Sequence, residues 1–295
     1  MRIGCIGEVM LELVPGEGDA ATLGVAGDTF NTAVYLARAL SGGAVDYLTV
    51  LGKDGFSDHI VSRVEGHRVG SGRILRHPTK VPGLYAIKTD TAGERHFTYW
   101  RSASAARQLF DLGYVPDFEG LTHLFFSGIS IAILTPQGRD TLFEKIIDFR
   151  ARGGQVAFDS NYRPQLWEDV ATAQAVTEQA WGVCDIALPS LDDEMALFGD
   201  PDEDAVMGRF AGYGLSRGAL KRAALGPLSI DGGAGEAFAP AAVVDSTAAG
   251  DSFNAGYLAC LLQGGDQTAA LRAGHDLASL VVGHRGAIIR EDVQK

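Results

Sequence analysis

Segments typical of β-strands alternate with segments typical of α-helices along almost the whole chain of 295 residues, and no other feature limits the possible folds as strongly. Short apolar runs predict strands at residues 2–7, 47–51, 123–127, 155–159 and 185–188. Apolar residues that recur every three or four positions predict helices at residues 28–40, 56–69, 136–152, 169–181, 250–263 and 267–283. Strands joined through helices form a mainly parallel sheet covered on both faces. The sequence therefore predicts an α/β fold.

Two segments interrupt this alternation. Residues 10–26 contain alternating apolar residues and many glycines. Residues 82–102 contain strand-like runs at 84–89 and 95–101 on either side of a turn at 90–94, which is the pattern of a β-hairpin. We therefore predict that the two insertions form a small β-sheet that stands off the main body.

A turn of small residues, 245–251 with the sequence DSTAAGD, leads into one of the predicted helices. The unpaired N–H groups and the macrodipole at a helix N-terminus can hold phosphate. A bound phosphate would repel Asp251, which makes sense if this carboxylate removes a proton from a hydroxyl that attacks the phosphoryl group. The alternative is that Asp251 only caps the helix. For the turn taken alone, capping is the better explanation.

The same turn resembles the Asp-Thr-x-Gly-Ala-Gly-Asp motif of the ribokinase/PfkB-like sugar kinases. Its AAGDSF form resembles the 2-keto-3-deoxygluconate (KDG) kinase branch of that family, and the resemblance runs from residue 3 to about residue 289. It implies one domain over residues 1–295, a ribokinase-like three-layer sandwich with a mostly parallel sheet. Residues 10–26 and 82–102 would form a β-sheet lid within this domain.

The resemblance also implies the catalytic residues, which are Asp251 as the base and the backbone N–H groups of Gly250, Ala249 and Ala248 as donors to the transferred phosphoryl group. Ala248 stands where the family usually has Gly. A side chain at this position restricts the φ and ψ angles that the backbone can adopt. We therefore expect the N–H group of Ala248 to donate if its φ angle is negative. Ala26 and Ala223 also replace glycines of the family.

Residues 26–33, with the sequence AGDTFNTA, resemble the Gly-Gly-x-x-x-Asn motif of the family. Asp28 and Asn31 would lie about one helical turn apart, so both could hydrogen-bond the hydroxyl groups of a polyol beside Gly27. Alternatively, Asp28 only caps the helix and Asn31 is only solvated.

Cationic and aromatic side chains in two segments indicate a negatively charged substrate. Tyr99 and Arg101 are two positions apart in the hairpin and share a face, with Tyr85 on the partner strand. Residues 158–164 (FDSNYRP) resemble a KDG kinase segment and place Arg163 after a strand end, where open α/β sheets bind ligands. Guanidinium groups pair bidentately with carboxylates, so both arginines are expected to hold a sugar acid. The alternatives are a solvated arginine on a hydrophobic sheet face and an ordinary surface ion pair.

A nucleotide site and a Mg²⁺ site are further implications of the resemblance. Residues 189–194 (PSLDDE) loosely match the Asn-x-x-Glu motif that organises Mg²⁺ in related kinases, and the choice between Asp193 and Glu194 stays open. These acids could also be only a solvated helix start. The implied nucleotide-binding residues are Asn161, Ser190, Lys221, Gly250 and His275. ATP and Mg²⁺ are therefore the expected cofactors, and a monovalent cation is left open.

The net charge and the cysteines limit the classes of binding partner and the cellular compartment that suit this chain. The formal net charge of −12, without a run of Lys or Arg, argues against nucleic acid or an anionic membrane as the main partner. Cys5, Cys184 and Cys260 match no metal-binding spacing, and buried reduced thiols indicate a reducing compartment. The N-terminus does not resemble a signal peptide, and no apolar run could span a membrane. We expect a cytoplasmic protein.

The function implied by the resemblance is ATP-dependent phosphorylation of KDG at its C6 hydroxyl. The sequence contains no Walker A motif, and no Gly-x-Gly-x-x-Gly follows the first strand, which argues against a P-loop kinase and a dinucleotide-dependent oxidoreductase. The alternatives are another sugar kinase, such as one for fructose, and a sugar-binding regulatory protein without catalysis. The Gly-to-Ala departures favour the regulatory protein, whereas Asp251 argues against it. The lid is expected to pair with that of a second subunit in a homo-oligomer.

Overall fold

The computed structural model describes residues 1–16, 18–89, 95–233 and 237–294. Its strands are β1 Arg2–Ile6, β2 Met10–Pro15, β3 Ala21–Ala26, β4 Ala44–Leu48, β5 Val50–Leu51, β6 Leu75–Arg76, β7 Leu84–Thr89, β8 Arg95–Trp100, β9 His123–Ser127, β10 Gln155–Asp159, β11 Ile186–Ala187, β12 Ala219–Leu220 and β13 Leu228–Ser229. Its α-helices are α1 Asp28–Ala39, α2 Gly55–Gly66, α3 Gly128–Ala132, α4 Pro136–Ala151, α5 Val170–Val183, α6 Leu191–Phe198, α7 Glu203–Tyr213, α8 Ala249–Leu262 and α9 Gln267–Val282. None of the described helices is long and apolar enough to cross a membrane.

A parallel five-stranded sheet with the order β11-β10-β9-β1-β4 forms the centre of the fold. Successive side chains of a strand point to opposite faces of its sheet. In β9, Leu124 and Phe126 belong to an apolar cluster that includes side chains of α3, α4 and α5. Phe125 belongs to a second cluster, which includes side chains of α1, α8 and α9. Both faces are therefore buried under helices, and the predicted α/β fold is confirmed.

The strands of the two insertions lie together in a second, four-stranded sheet with the order β3-β2-β7-β8. β2 runs antiparallel to β3 and parallel to β7, and β7 runs antiparallel to β8. Tyr85 lies opposite Tyr99, and Ile87 lies opposite Phe97, so these side chains share one face. The turn predicted at residues 90–94 lies outside the described residues.

Two helices follow β11: α6, which begins at the acids that the sequence analysis gave as a possible helix start, and α7, which it did not predict. The side chain of Asp202 caps α7 by accepting from the N–H group of Ala205, and Gly199 and Gly214 end the two helices in left-handed conformations. The strand predicted at residues 47–51 is divided into β4 and β5. The local capping signals for α7 were therefore present in the sequence.

Candidate active site

A cleft of about 520 Å³ opens where the strands β1 and β10 end, with residues of the small sheet along one side and the start of α8 along another. Of the residues predicted for the site, Glu194 does not line it. Those that line it are Gly27, Asp28, Asn31, Tyr85, Tyr99, Arg101, Asn161, Arg163, Ser190, Asp193, Lys221, Ala248, Ala249, Gly250, Asp251 and His275.

The carboxylate of Asp251 faces this cleft from the first turn of α8 and does not act as a helix cap. Its Oδ2 accepts a hydrogen bond of 2.8 Å from Nδ2 of Asn31, which belongs to α1. The N-terminus of α8 has no side-chain cap. Burial and the negative charge of Asp28 raise the pKa of Asp251 well above the usual value for an aspartate. A carboxylate with a raised pKa is a stronger base once it is ionised, as a group that abstracts a hydroxyl proton requires.

Asp28 is also not a cap, although it is the first residue of α1. Its Oδ2 accepts hydrogen bonds from Oγ of Ser127 and, at 2.9 Å, from Nδ2 of Asn161. The cap position is occupied by Gly27, without a side-chain hydrogen bond. Burial raises the pKa of Asp28. Asp28 therefore connects the start of α1 to the end of β9 and to the segment that follows β10, and Asn31 orients the carboxylate of Asp251.

The sequence analysis made donation by the N–H group of Ala248 conditional on a negative φ angle, and the structure does not meet that condition. The φ and ψ angles of Ala248, 61° and 20°, lie in the left-handed region, where Gly is favoured. Ala223 and Asn161, which also line the cleft, have positive φ angles of 46° and 30°. Ala26, in contrast, is an ordinary residue at the end of β3. The family glycines at positions 223 and 248 are thus explained by backbone conformation, and the chain keeps that conformation at some cost in strain.

We expect Ala248→Gly to raise the free energy of unfolding by about 1 kcal/mol, because Gly adopts left-handed angles without strain. Turnover should change only modestly, because the path of the backbone is retained. Denaturant unfolding and steady-state kinetics would measure the two effects. Ala249→Gly is the matched control and should not stabilise the protein, because residue 249 is helical. A large gain in turnover for Ala248→Gly would instead show that Ala248 damages the site.

Arg101 forms an ion pair with Glu8, a residue that the sequence analysis missed. Nε of Arg101 donates to Oε2 of Glu8 at 2.8 Å, and a terminal nitrogen of the guanidinium contacts the same oxygen. Both side chains are largely buried, with exposed fractions of 10% for Arg101 and 1% for Glu8. An acid two positions after the end of the buried strand β1 was the available signal. Any substrate carboxylate that binds Arg101 would share the guanidinium with Glu8.

Arg163 and Asp193 meet at the cleft, whereas Glu194 turns away from it. NH1 of Arg163 lies 3.4 Å from Oδ1 of Asp193, and the Arg163 side chain is 45% exposed. Glu194 is fully buried and pairs with Arg209 at 2.9 Å. Asp192 and Asp193 line the cleft from the first turn of α6, whereas Glu194 points away from it, toward Arg209. The possibility that Glu194 binds Mg²⁺ is therefore not supported, and burial raises its pKa to about 7.

The predicted nucleotide-binding residues all line the cleft, and Gly250 and His275 do so from α8 and α9. Nζ of Lys221 lies 2.7 Å from Oδ1 of Asp159. The ring of His275 packs against Phe238 with centroids 4.7 Å apart, and its Nε2 lies 3.0 Å from the carbonyl oxygen of Ala239. Its neighbours thus hold the ring of His275 in place and engage its Nε2, so a ligand would contact the face of the ring more readily than this nitrogen.

Comparisons with known proteins agree with this architecture. The sequence model of the pfkB family carbohydrate kinases matches residues 2–293. The 2-dehydro-3-deoxygluconokinase of Escherichia coli (strain K12) is 41% identical over 300 residues, which cover 98% of this chain and 97% of that protein.

Two solved structures have the same fold. The 2-dehydro-3-deoxygluconokinase of Thermotoga maritima has a TM-score of 0.84 at 20% identity and covers 100% of this chain and 98% of its own. The fructokinase of Vibrio cholerae O395, in a form with bound fructose, ADP and calcium ion, has a TM-score of 0.84 at 23% identity, with coverages of 97% and 94%. At these identities the likeness establishes the fold alone. Because the family match and the 41% identity both extend over nearly the whole sequence, the chain belongs to the pfkB family of carbohydrate kinases.

Proposed function

We propose that this kinase transfers the γ-phosphoryl group of ATP to the C6 hydroxyl of KDG, which is also called 2-dehydro-3-deoxygluconate. The observation that carries the proposal is that Asp251 and the two arginines, Arg101 and Arg163, line one cleft in a chain 41% identical to a kinase named for this substrate. A base and a carboxylate-binding group in one cavity suit the phosphorylation of a sugar acid better than that of a neutral sugar.

Asp251 would accept the proton of the C6 hydroxyl while the oxygen of this hydroxyl attacks the γ-phosphorus of ATP. The bond between this phosphorus and the bridging oxygen of ADP breaks in the same displacement, so the products are the 6-phosphate and ADP. The N–H groups of Ala248 and Gly250 at the start of α8 would donate to the charge on the transferred group, because successive N–H groups of a turn with a left-handed residue can form an anion-binding concavity. The N–H group of Ala249 donates to the carbonyl oxygen of Ser246 at 3.2 Å.

The remaining polar groups of the cleft would bind the sugar acid. Arg101 and Arg163 would hold its carboxylate, and Gly27, Asp28, Tyr85 and Tyr99 would surround its hydroxyl groups. Tyr99 and Tyr85 belong to the small sheet. We therefore propose that this sheet acts as a lid, which excludes water once the substrate is bound and so limits hydrolysis of ATP.

The acids of the cleft fit a Mg²⁺ ion that is held mainly by the nucleotide. Among residues 1–16, 18–89, 95–233 and 237–294, no group of three or more His, Cys, Asp or Glu side chains could hold a metal ion. Mg²⁺ in kinases usually keeps waters and takes one or two carboxylates besides the phosphates, and Asp193 offers such a carboxylate in the cleft. When bound, Mg²⁺ would supply charge neutralisation for the phosphates.

A panel of sugars assayed with ATP and Mg²⁺ tests the proposal. We expect kcat/KM for KDG to exceed that for fructose at least about 100-fold, because a neutral sugar offers Arg101 and Arg163 no carboxylate to bind. Efficient phosphorylation of fructose would favour a fructokinase-like enzyme. Binding of KDG without turnover of any sugar would favour the regulatory protein.

We also propose a homodimer formed through the small sheet. Two large apolar side chains on the face of this sheet away from the cleft, Leu23 and Trp100, are 38% and 57% exposed, whereas Phe97 and Tyr99 lie on the face that lines the cleft. Trp100 therefore does not fold back onto its own chain, and a second copy of the sheet would cover it.

Light scattering at micromolar concentration should give twice the 31.2 kDa of one chain. Trp100→Glu should shift the mass toward the monomer, because it places a charge in the proposed contact. Leu112→Glu is the control, since Leu112 is 94% exposed and lies outside the small sheet, and it should leave the mass unchanged. A wild-type mass of one chain would contradict the dimer.

A further inference from the structure

Three buried polar side chains form a closed network behind the turn that begins α8. Nζ of Lys221 lies 2.7 Å from Oδ1 of Asp159 and 3.2 Å from Oδ1 of Asn254. Nδ2 of Asn254 donates to Oδ2 of Asp159 at 2.7 Å. Asn254 is fully buried, and Asp159 is 3% exposed. Each member of the triangle therefore contacts both of the others.

The network lies directly beside the candidate anion hole. Asn254 stands on α8 one turn after Gly250 and Asp251, so it shares their helical face. A methyl group placed at the Cβ position of Gly250 would lie 3.6 Å from Nζ of Lys221. The ammonium group thus lies next to the backbone of the turn that begins α8.

The geometry points to Asp159 and Asn254 as positioning residues that hold the ammonium group of Lys221 against the anion hole, where it stabilises charge on the phosphoryl group in transfer. This inference rests on the proposed kinase function and deepens it. Asn254 does not line the cleft and Asp159 does, and in this inference both act through Lys221.

The chemistry of the three side chains supports this role. A lysine side chain is flexible, and its ammonium group has three N–H donors. Two oxygens, one from Asp159 and one from Asn254, take two of these donors and fix the direction of the third. The amide of Asn254 is oriented in turn, because its nitrogen must donate to Asp159 for its oxygen to face Lys221. Lys221 also lines the cleft, which a purely structural ion pair does not require.

A double-mutant cycle tests the inference, with turnover as the readout. Lys221→Gln removes the charge and should lower kcat about 100-fold, as expected for the loss of a group that stabilises the transition state. Asn254→Ala should lower kcat about 10-fold while KM for the sugar stays unchanged. In the Lys221→Gln background, Asn254→Ala should lower kcat less than about twofold, because the group that it positions is already lost.

Losses of kcat that multiply in the double variant would overturn the inference, because they would show that Asn254 does not act through Lys221. Thermal unfolding of each variant identifies proteins that do not fold. Asp159→Asn, which keeps the size of the side chain, provides the same cycle if Asn254→Ala is unfolded. The cycle uses whichever sugar of the panel the wild type phosphorylates fastest. A preference for a sugar other than KDG would then refute the proposed substrate, but the double-mutant cycle could still be measured. An absence of turnover with every sugar would overturn both the proposed function and this inference.

Discussion

Replacing Asp251 with Asn is expected to lower turnover at least about 100-fold while making the fold more stable. The amide keeps the size of the carboxylate and can still accept a hydrogen bond from Asn31, but it cannot take the proton of a sugar hydroxyl. Nucleotide affinity should be largely kept, because the donors at the start of α8 belong to the backbone. Steady-state kinetics and calorimetric titration with ADP would measure these two effects.

The gain in stability follows from the direction of the pKa shift. Burial and the charge of Asp28 raise the pKa of Asp251, so the folded protein binds this proton more tightly than the unfolded chain does. As the pH rises above the usual aspartate range and through the raised pKa, the ionised carboxylate destabilises the folded state. Asp251→Asn removes that charge, so its melting temperature should exceed that of the wild type above the raised pKa.

The pH profile provides the control for this prediction. Wild-type turnover should decline as the pH falls through the raised pKa of Asp251, and the residual activity of Asp251→Asn should lack that decline. Near-normal turnover in the variant would remove Asp251 from the mechanism. A melting temperature that falls would show that the ionised carboxylate is not a strained group in the folded protein.

The features that the sequence predicted well depend on local patterns. The predicted bounds of β9 and β10 agree with the structure because each is an apolar run ended by a polar residue. Ala223 and Ala248, which have positive φ angles, stand where the family has Gly. Comparison with the family motifs identified both positions but could not give the φ angles. All the residues that the motifs predicted for the site, apart from Glu194, line one cleft.

The features that the sequence did not predict depend on contacts between distant segments. Asn31 donates to Asp251 across 220 positions, and Arg101 pairs with Glu8 across 93. No periodicity encodes such pairs, because they arise only when α1 packs on α8 and when the small sheet meets the end of β1. Family resemblance could place each residue in the site, but it could not show which charges neutralise one another.

The ion pair between Arg101 and Glu8 shapes the second large effect that we expect. Arg101→Ala should raise KM for KDG by about 30-fold or more, which corresponds to about 2 kcal/mol, because the substrate carboxylate loses a buried partner. The same change should also destabilise the fold by about 3 kcal/mol, because it leaves Glu8 buried without its counter-ion. Substrate kinetics and denaturant unfolding would measure the two effects separately.

A double variant separates substrate binding from folding. Glu8→Gln combined with Arg101→Ala removes the uncompensated charge, so stability should largely recover while KM stays high. Glu8→Gln alone leaves the charge of Arg101 to the substrate and should not raise KM. Arg163→Ala tests the more exposed of the two arginines. The ion pair between Arg163 and Asp193 is long and partly solvated, so KM for KDG should rise with little change in the free energy of unfolding. If the double variant regained a normal KM, Arg101 would serve only to neutralise Glu8, and the carboxylate of the sugar would have to bind elsewhere in the cleft.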